Sequence, residues 1–125
     1  MRVGSPMLAE TLRRMDDTGV RVLDAELVRI DPQTAVARYG PLFETAAALG
    51  ASFINVMADD PNLHRATDTF ASLVEAARPY GVRPAIEAIP YMHVKTLPDA
   101  AALVGTRGRA GPGTGGGVDR GGCYW

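Results

Sequence analysis

The chain has 125 residues, 46% of them hydrophobic, with 14 acidic residues against 13 basic ones and a formal net charge of −1. That is the length of one domain with ample apolar material for a core, and the lack of a positive excess argues against a dedicated nucleic-acid or anionic-membrane surface. No apolar run approaches a membrane span, MRVGSPMLAE lacks a signal-peptide core, and the single Cys123 permits neither an internal disulfide nor a cysteine-based metal cluster, so a reducing, cytoplasmic setting is expected.

Ser5 and Pro6 open the first helical pattern as N-cap and first helical residue. Leu8, Leu12 and Met15 form its apolar stripe, and Gly19 ends it in a left-handed conformation. The β-rich run Val20 to Ile30 predicts the first strand, with Asp24 and Glu26 on one face. After Asp31-Pro32 a polar connection leads to Tyr39-Gly40-Pro41, and PLFETAAAL predicts a helix with Leu42, Phe43, Ala46 and Leu49 inward, closed by Gly50. Ser52 to Met57 predicts the second strand. Asp60 before Pro61 has the form of an N-cap, and Leu63, Ala66, Phe70, Leu73, Val74 and Ala77 form one apolar stripe on the helix that follows, ended by Gly81.

Gly19, Gly50 and Gly81 are spaced by 31 residues each, and each sits between a helix and a strand. Equal spacing of a helix-plus-strand unit predicts parallel strands joined by crossovers, as in a (β/α)₈ barrel, of which this chain carries three strands. The third is the stretch GVRPAIEAIP. Alternation puts Arg83, Ala85 and Glu87 on the face away from the helices and Val82, Pro84 and Ile86 on the helix-covered face. Pro84 is awkward there, because in a central strand it removes a ladder donor. Glu87 closes the strand ahead of a polar loop with His93, Lys95 and Thr96, which is where parallel α/β proteins place their chemistry. Thr96 and Asp99 then predict a capped fourth helix through Leu103 and Val104. From Gly105 the pattern ends: nine of the last 21 residues are glycine, against five in the first 104, so residues 1–104 are expected to form the domain and 105–125 a disordered tail. A pattern lost in mid-unit into glycine, arginine and proline is what a frameshift produces, and translation of the other reading frames after codon 105 checks that expectation.

Together, LGASFINV, LHRATDTFASLVEAARPYG, GVRPAIEAIP and TLPDAAALVG resemble the sugar phosphate isomerase/epimerase group of the xylose isomerase-like barrel superfamily, over roughly residues 7–104. The resemblance implies an α/β fold, here part of a (β/α)₈ barrel with about three parallel strands and four helices. It also implies a role for Glu87 as ligand of a divalent metal (Mn, Mg or Zn) and as catalytic proton-transfer group in an isomerisation through an enediolate. The other ligands of that family, an aspartate, a histidine and a second glutamate, come from later strands, and none can be assigned in this sequence. Weak metal binding is therefore expected.

Among the remaining polar residues, His93 is placed to meet a substrate hydroxyl or phosphate, and Glu26, with Asp24, to line the same mouth. Asp59 and Asp60 read as turn and capping residues, and His64 and Arg65 as a solvated helix face. Tyr91 either stacks on a sugar ring or packs against neighbouring loops. The partner implied by the resemblance is a small sugar substrate, with neither nucleic acid nor membrane. The other function considered is a catalytically inactive fragment or interaction module that self-associates through its open sheet edges.

Overall fold

The computed structural model describes residues 1–105, so all but the first residue of the expected glycine-rich tail, 105–125, lies outside the described residues. The described residues form a mixed α/β structure with four helices and one three-stranded parallel sheet. In chain order these are α1 (Pro6–Thr18), β1 (Asp24–Ile30), a 3₁₀ turn (Val36–Tyr39), α2 (Gly40–Ala48), β2 (Phe53–Ala58), α3 (Leu63–Ala77), a 3₁₀ turn (Arg78–Tyr80), β3 (Arg83–Glu87) and α4 (Leu97–Gly105). None of these helices is long and apolar enough to cross a membrane.

The strands lie in sequence order, β1-β2-β3, and all pairs are parallel. Their alternation sorts the side chains as expected. Val28, Ile30, Ile54, Val56, Ala58 and Ile86 are buried on one face against Phe43 and Ala46 of α2 and Ala66, Phe70, Leu73 and Ala77 of α3. The ring of Phe43 lies 5.9 Å from that of Tyr80, which anchors α2 to the turn after α3. α4 adds Ala100 and Leu103 to the same core. The opposite face carries Phe53, Asn55, Met57, Ala85 and Glu87, all only partly buried, with the Arg83 guanidinium 4.5 Å from the centre of the Phe53 ring. The core is therefore one-sided: it sits between the sheet and the helices.

Helix signals were read well where a cap fixed them. The Ser5 hydroxyl accepts from the Leu8 amide, and Gly19 closes α1 with φ 70°. Thr96 and Asp99 form a reciprocal box at the start of α4: Asp99 N–H donates to the Thr96 hydroxyl, and the Asp99 carboxylate accepts from Thr96 N–H. The N-cap of α3 is a correction. Asn62, not Asp60, holds that position and accepts from the Arg65 amide, because Asp60 still lies in extended chain directly beyond β2 and turns into the interior.

Two further expectations change with the tertiary structure. The first strand begins at Asp24 rather than Val20; Val20 and Leu23 are exposed, because the ladder to the second strand starts only where Ser52 and Phe53 donate to the Leu23 carbonyl. The apolar stripe of α1 buries Leu8 alone, while Leu12 stays 37% exposed, since α1 touches the other elements only sparsely. Pro84 turns out to be harmless. Among the described residues β3 is an edge strand, and because the Arg83 amide points to β2 by donating to the Ser52 carbonyl, the next residue faces away from β2, where its missing N–H breaks no bond of the β2-β3 ladder.

Candidate functional site at the carboxyl edge of the sheet

Parallel pairing delivers the carboxyl ends of all three strands to one edge. Near that edge Arg29, Met57 and Glu87 are in register across β1, β2 and β3. Alternation puts them on the face away from the helices. Glu87 is partly buried, and its Oε2 accepts from Asn55 Nδ2 at 3.1 Å. This places the predicted strand-end acid where expected and adds an amide that sequence reading did not single out.

Asp59 follows Met57 by two residues, and its amide donates to the Ile30 carbonyl at 2.8 Å, so the β1-β2 ladder runs one step past β2 and the side chain stays on the uncovered face. Both carboxylate oxygens are engaged: Oδ2 by the Arg29 guanidinium and Oδ1 by His93 Nδ1 at 2.9 Å. The His93 hydrogen bond first, and the Arg29 hydrogen bond second, hold the Asp59 carboxyl below its ordinary range against a smaller opposing effect of burial. Asp59 thus does more than turn the chain.

His93 arrives from the loop after β3. Its neighbours Met92 and Val94 are buried, the Val94 amide donates to the Ala58 carbonyl at 3.1 Å, and the Val94 carbonyl accepts from the Ile89 amide at 3.0 Å. The loop is tied to the end of β2, with His93 and Asp59 on adjacent positions of the two tied segments. His93 and Asp59 are joined in this way; Tyr91, in the same loop, is exposed.

Asp60 points the other way and is 2% exposed. It receives Arg65 Nε at 2.6 Å, Arg65 Nη2 at 2.7 Å and the Asn62 amide at 2.8 Å. Arg65 foremost, against burial, lowers its pKa, with the Asn62 amide assisting. Asp60 ties α3 to the end of β2, and Arg65, exposed as expected of a helix face, is also its structural partner.

Glu26 is exposed and lies lower on the sheet. The register of β1 slips between Ala25 and Val28, so Glu26 and Leu27 together oppose Asn55, two residues below the Arg29-Met57-Glu87 row. Among the described residues it pairs with none of the carboxyl-edge side chains. The signal that would have found Asp59 and Arg29 from sequence is the continued alternation Phe53, Asn55, Met57, Asp59 and, on the neighbouring strand, the basic residue beside buried Ile30.

A divalent ion requires several oxygen or nitrogen donors converging on one point. Glu87 offers one carboxylate, the oxygens of Asp59 are already held by Arg29 and His93, and among the described residues no group of three or more His, Cys, Asp or Glu is arranged to hold a metal. The residues present do not by themselves fit such an ion. No protein-family model, curated protein or solved structure matches the chain.

Proposed function

We propose that these residues are part of a (β/α)₈ barrel of the sugar or sugar-phosphate isomerase/epimerase kind, working in the cytoplasm on a small sugar, with Glu87 as a catalytic carboxylate and one ligand of a divalent metal whose other ligands lie elsewhere. The observation that carries the reading is Glu87 itself: a partly buried carboxylate, fixed by Asn55, at the carboxyl end of a parallel strand and on the face away from the helices. Sequential strand order with helices packed on one face of the sheet adds support, since a doubly wound sheet carries helices on both faces.

In this reading Glu87 takes the carbon-bound proton next to the substrate carbonyl, the bond electrons pass into an enediolate, the hydroxyl proton passes between its two oxygens, and Glu87 returns the carbon-bound proton to the neighbouring carbon; epimerisation would need a second acid on the opposite face. Asn55 occupies Oε2 and leaves Oε1 to carry the proton. His93 meets a substrate hydroxyl or phosphate, and Glu26 lines the same mouth from β1. No step is drawn through a metal, because the donor set here is incomplete.

A second reading, a non-catalytic module that associates with another copy through its sheet, is favoured by the uncovered face and the two open edges. Two measurements separate the readings. Incubation in deuterium oxide with D-fructose, D-xylulose or dihydroxyacetone phosphate and added Mn²⁺, followed by NMR, should show exchange of the proton beside the carbonyl that is lost in Glu87→Gln; no exchange with any of the three favours the module. Calorimetric titration with Mn²⁺, Mg²⁺ and Zn²⁺ should give weak binding that Glu87→Gln changes little, and tight stoichiometric binding abolished by that variant would mean that the chain holds a complete site.

A further inference from the structure

We propose that Asp59 and His93 form a general-base dyad at the carboxyl edge of the sheet, in which His93 Nε2 takes a proton from a hydroxyl group or a water molecule and Asp59 positions the ring. This goes beyond a contact role for His93 and does not depend on the isomerase reading or on any metal at Glu87.

The tautomer follows from the bonds. Asp59 is held ionised by the two cation-capable groups on its two oxygens, and an ionised carboxylate only accepts. The hydrogen between Asp59 Oδ1 and His93 therefore sits on Nδ1, and the neutral ring presents its lone pair at Nε2. The pairing is also built into the backbone. Ala58 and Val94 are joined by a main-chain hydrogen bond, the residues beside them are Asp59 and His93, and the buried Met92 and Val94 side chains on either side of His93 fix the loop. Both side chains are short, so holding them together costs little rotamer freedom.

The layering is that of a base with its orienting acid behind it. The Asp59 side chain is 20% exposed and that of His93 52%, so the carboxylate is largely withdrawn from solvent while the imidazole is open to a small molecule. Three charged groups face the pair: the Asp59 carboxylate on Nδ1 of the ring, the Asp60 carboxylate near enough to interact with His93, and the Arg29 guanidinium on the other oxygen of Asp59, which helps keep Asp59 ionised. In the proposed step the substrate or water O–H proton passes to Nε2 and its bond electrons remain on oxygen, which attacks an electrophilic carbon or carries the negative charge. The imidazolium formed keeps its Nδ1–H on Asp59 and later gives the Nε2 proton to the leaving group or to solvent.

The chain has one other histidine, His64 at the start of α3, which serves as an internal control. Long-range nitrogen–proton NMR on the unsubstituted chain should show His93 in the Nδ1–H form near neutral pH. Asp59→Asn should abolish that preference, since it replaces an acceptor-only carboxylate on Nδ1 with an amide that can also donate. With p-nitrophenyl acetate as probe, water attacks the acetyl carbon as its proton moves to Nε2, and p-nitrophenolate leaves. Hydrolysis should fall about tenfold in His93→Gln, stay unchanged in His64→Gln, and weaken in Asp59→Asn. An Nε2–H tautomer in the unsubstituted chain, or a hydrolysis rate that His93→Gln leaves intact, overturns the proposal. The tautomer is read without any substitution, so the test stands even where Asp59→Asn fails to fold.

Discussion

Asp59 and Asp60 are adjacent in sequence and face opposite sides of the sheet. The one on the uncovered face meets Arg29 and His93; the one on the helix face is shut inside with Arg65. Both have pKa values below the ordinary one, so the sign of their contribution is fixed. A carboxylate whose folded pKa lies below its unfolded pKa stabilises the fold fully above the unfolded value, and that contribution is lost as pH falls from about 4 towards the folded pKa. Asp99, lowered chiefly by the Thr96 hydroxyl, acts in the same window. We expect Asp60→Asn to lower stability at pH 7 and to flatten the acid limb of the stability curve, so that the variant and the parent converge as pH falls through the lowered folded pKa. Urea unfolding at a series of pH values measures this. An equal loss at every pH would mean that Asp60 acts through packing or its Asn62 turn rather than through its charge.

At the scale of elements, amphipathic pattern and anchoring part company. α1 and α3 are both amphipathic, yet α3 buries Ala66, Phe70, Ala71, Leu73 and Ala77, whereas α1 buries Leu8. Three surface ion pairs, Arg13 with Glu10, Arg13 with Asp17 and Arg14 with Glu10, decorate α1, and such exposed pairs add little. Leu73→Ala should therefore cost about 2–5 kcal/mol through lost burial and a residual cavity, while Leu12→Ala should stay within about 0.5 kcal/mol. Removal of the Thr96 hydroxyl by Thr96→Ala should cost about 1 kcal/mol by opening the cap of α4. Chemical denaturation of the three variants ranks them, and a Leu12→Ala loss comparable to that of Leu73→Ala would show that α1 docks in solution far more firmly than its contacts indicate.

Across the whole molecule the one-sided core dominates. Among the described residues β1 and β3 are both edges, and Phe53, Asn55, Met57, Ala85 and Glu87 lie on a face that no helix covers. Unpaired strand edges and a half-covered apolar face favour association with further chain. The isolated chain should therefore give oligomers or a loosely packed state that retains far-ultraviolet ellipticity, binds a hydrophobic dye and shows weak near-ultraviolet dichroism. Size-exclusion chromatography with these spectroscopic probes tests it. A sharp monomer peak, cooperative melting and no dye binding would instead mark a self-contained α/β domain and remove the main support for a barrel.

Local chemistry determined what could be read from the sequence alone. Ser5, Gly19, Gly50, Gly81 and the Thr96–Asp99 box mark helix ends through bonds and left-handed backbone that involve only near neighbours, and β alternation depends on nothing beyond the strand itself, so four helices, three strands and the outward place of Glu87 were legible. What the sequence could not fix was every feature that needs a partner far along the chain. The start of β1 depends on where β2 begins, the tolerance of Pro84 on β3 being an edge, and the burial of Leu8 without Leu12 on how α1 docks. The site shows the same division. Glu87 was found because strand position alone marks it, whereas Asp59 meets His93, 34 residues away, and Arg29, 30 residues away, only after parallel register and the Ala58–Val94 bond have brought three separate segments to one edge.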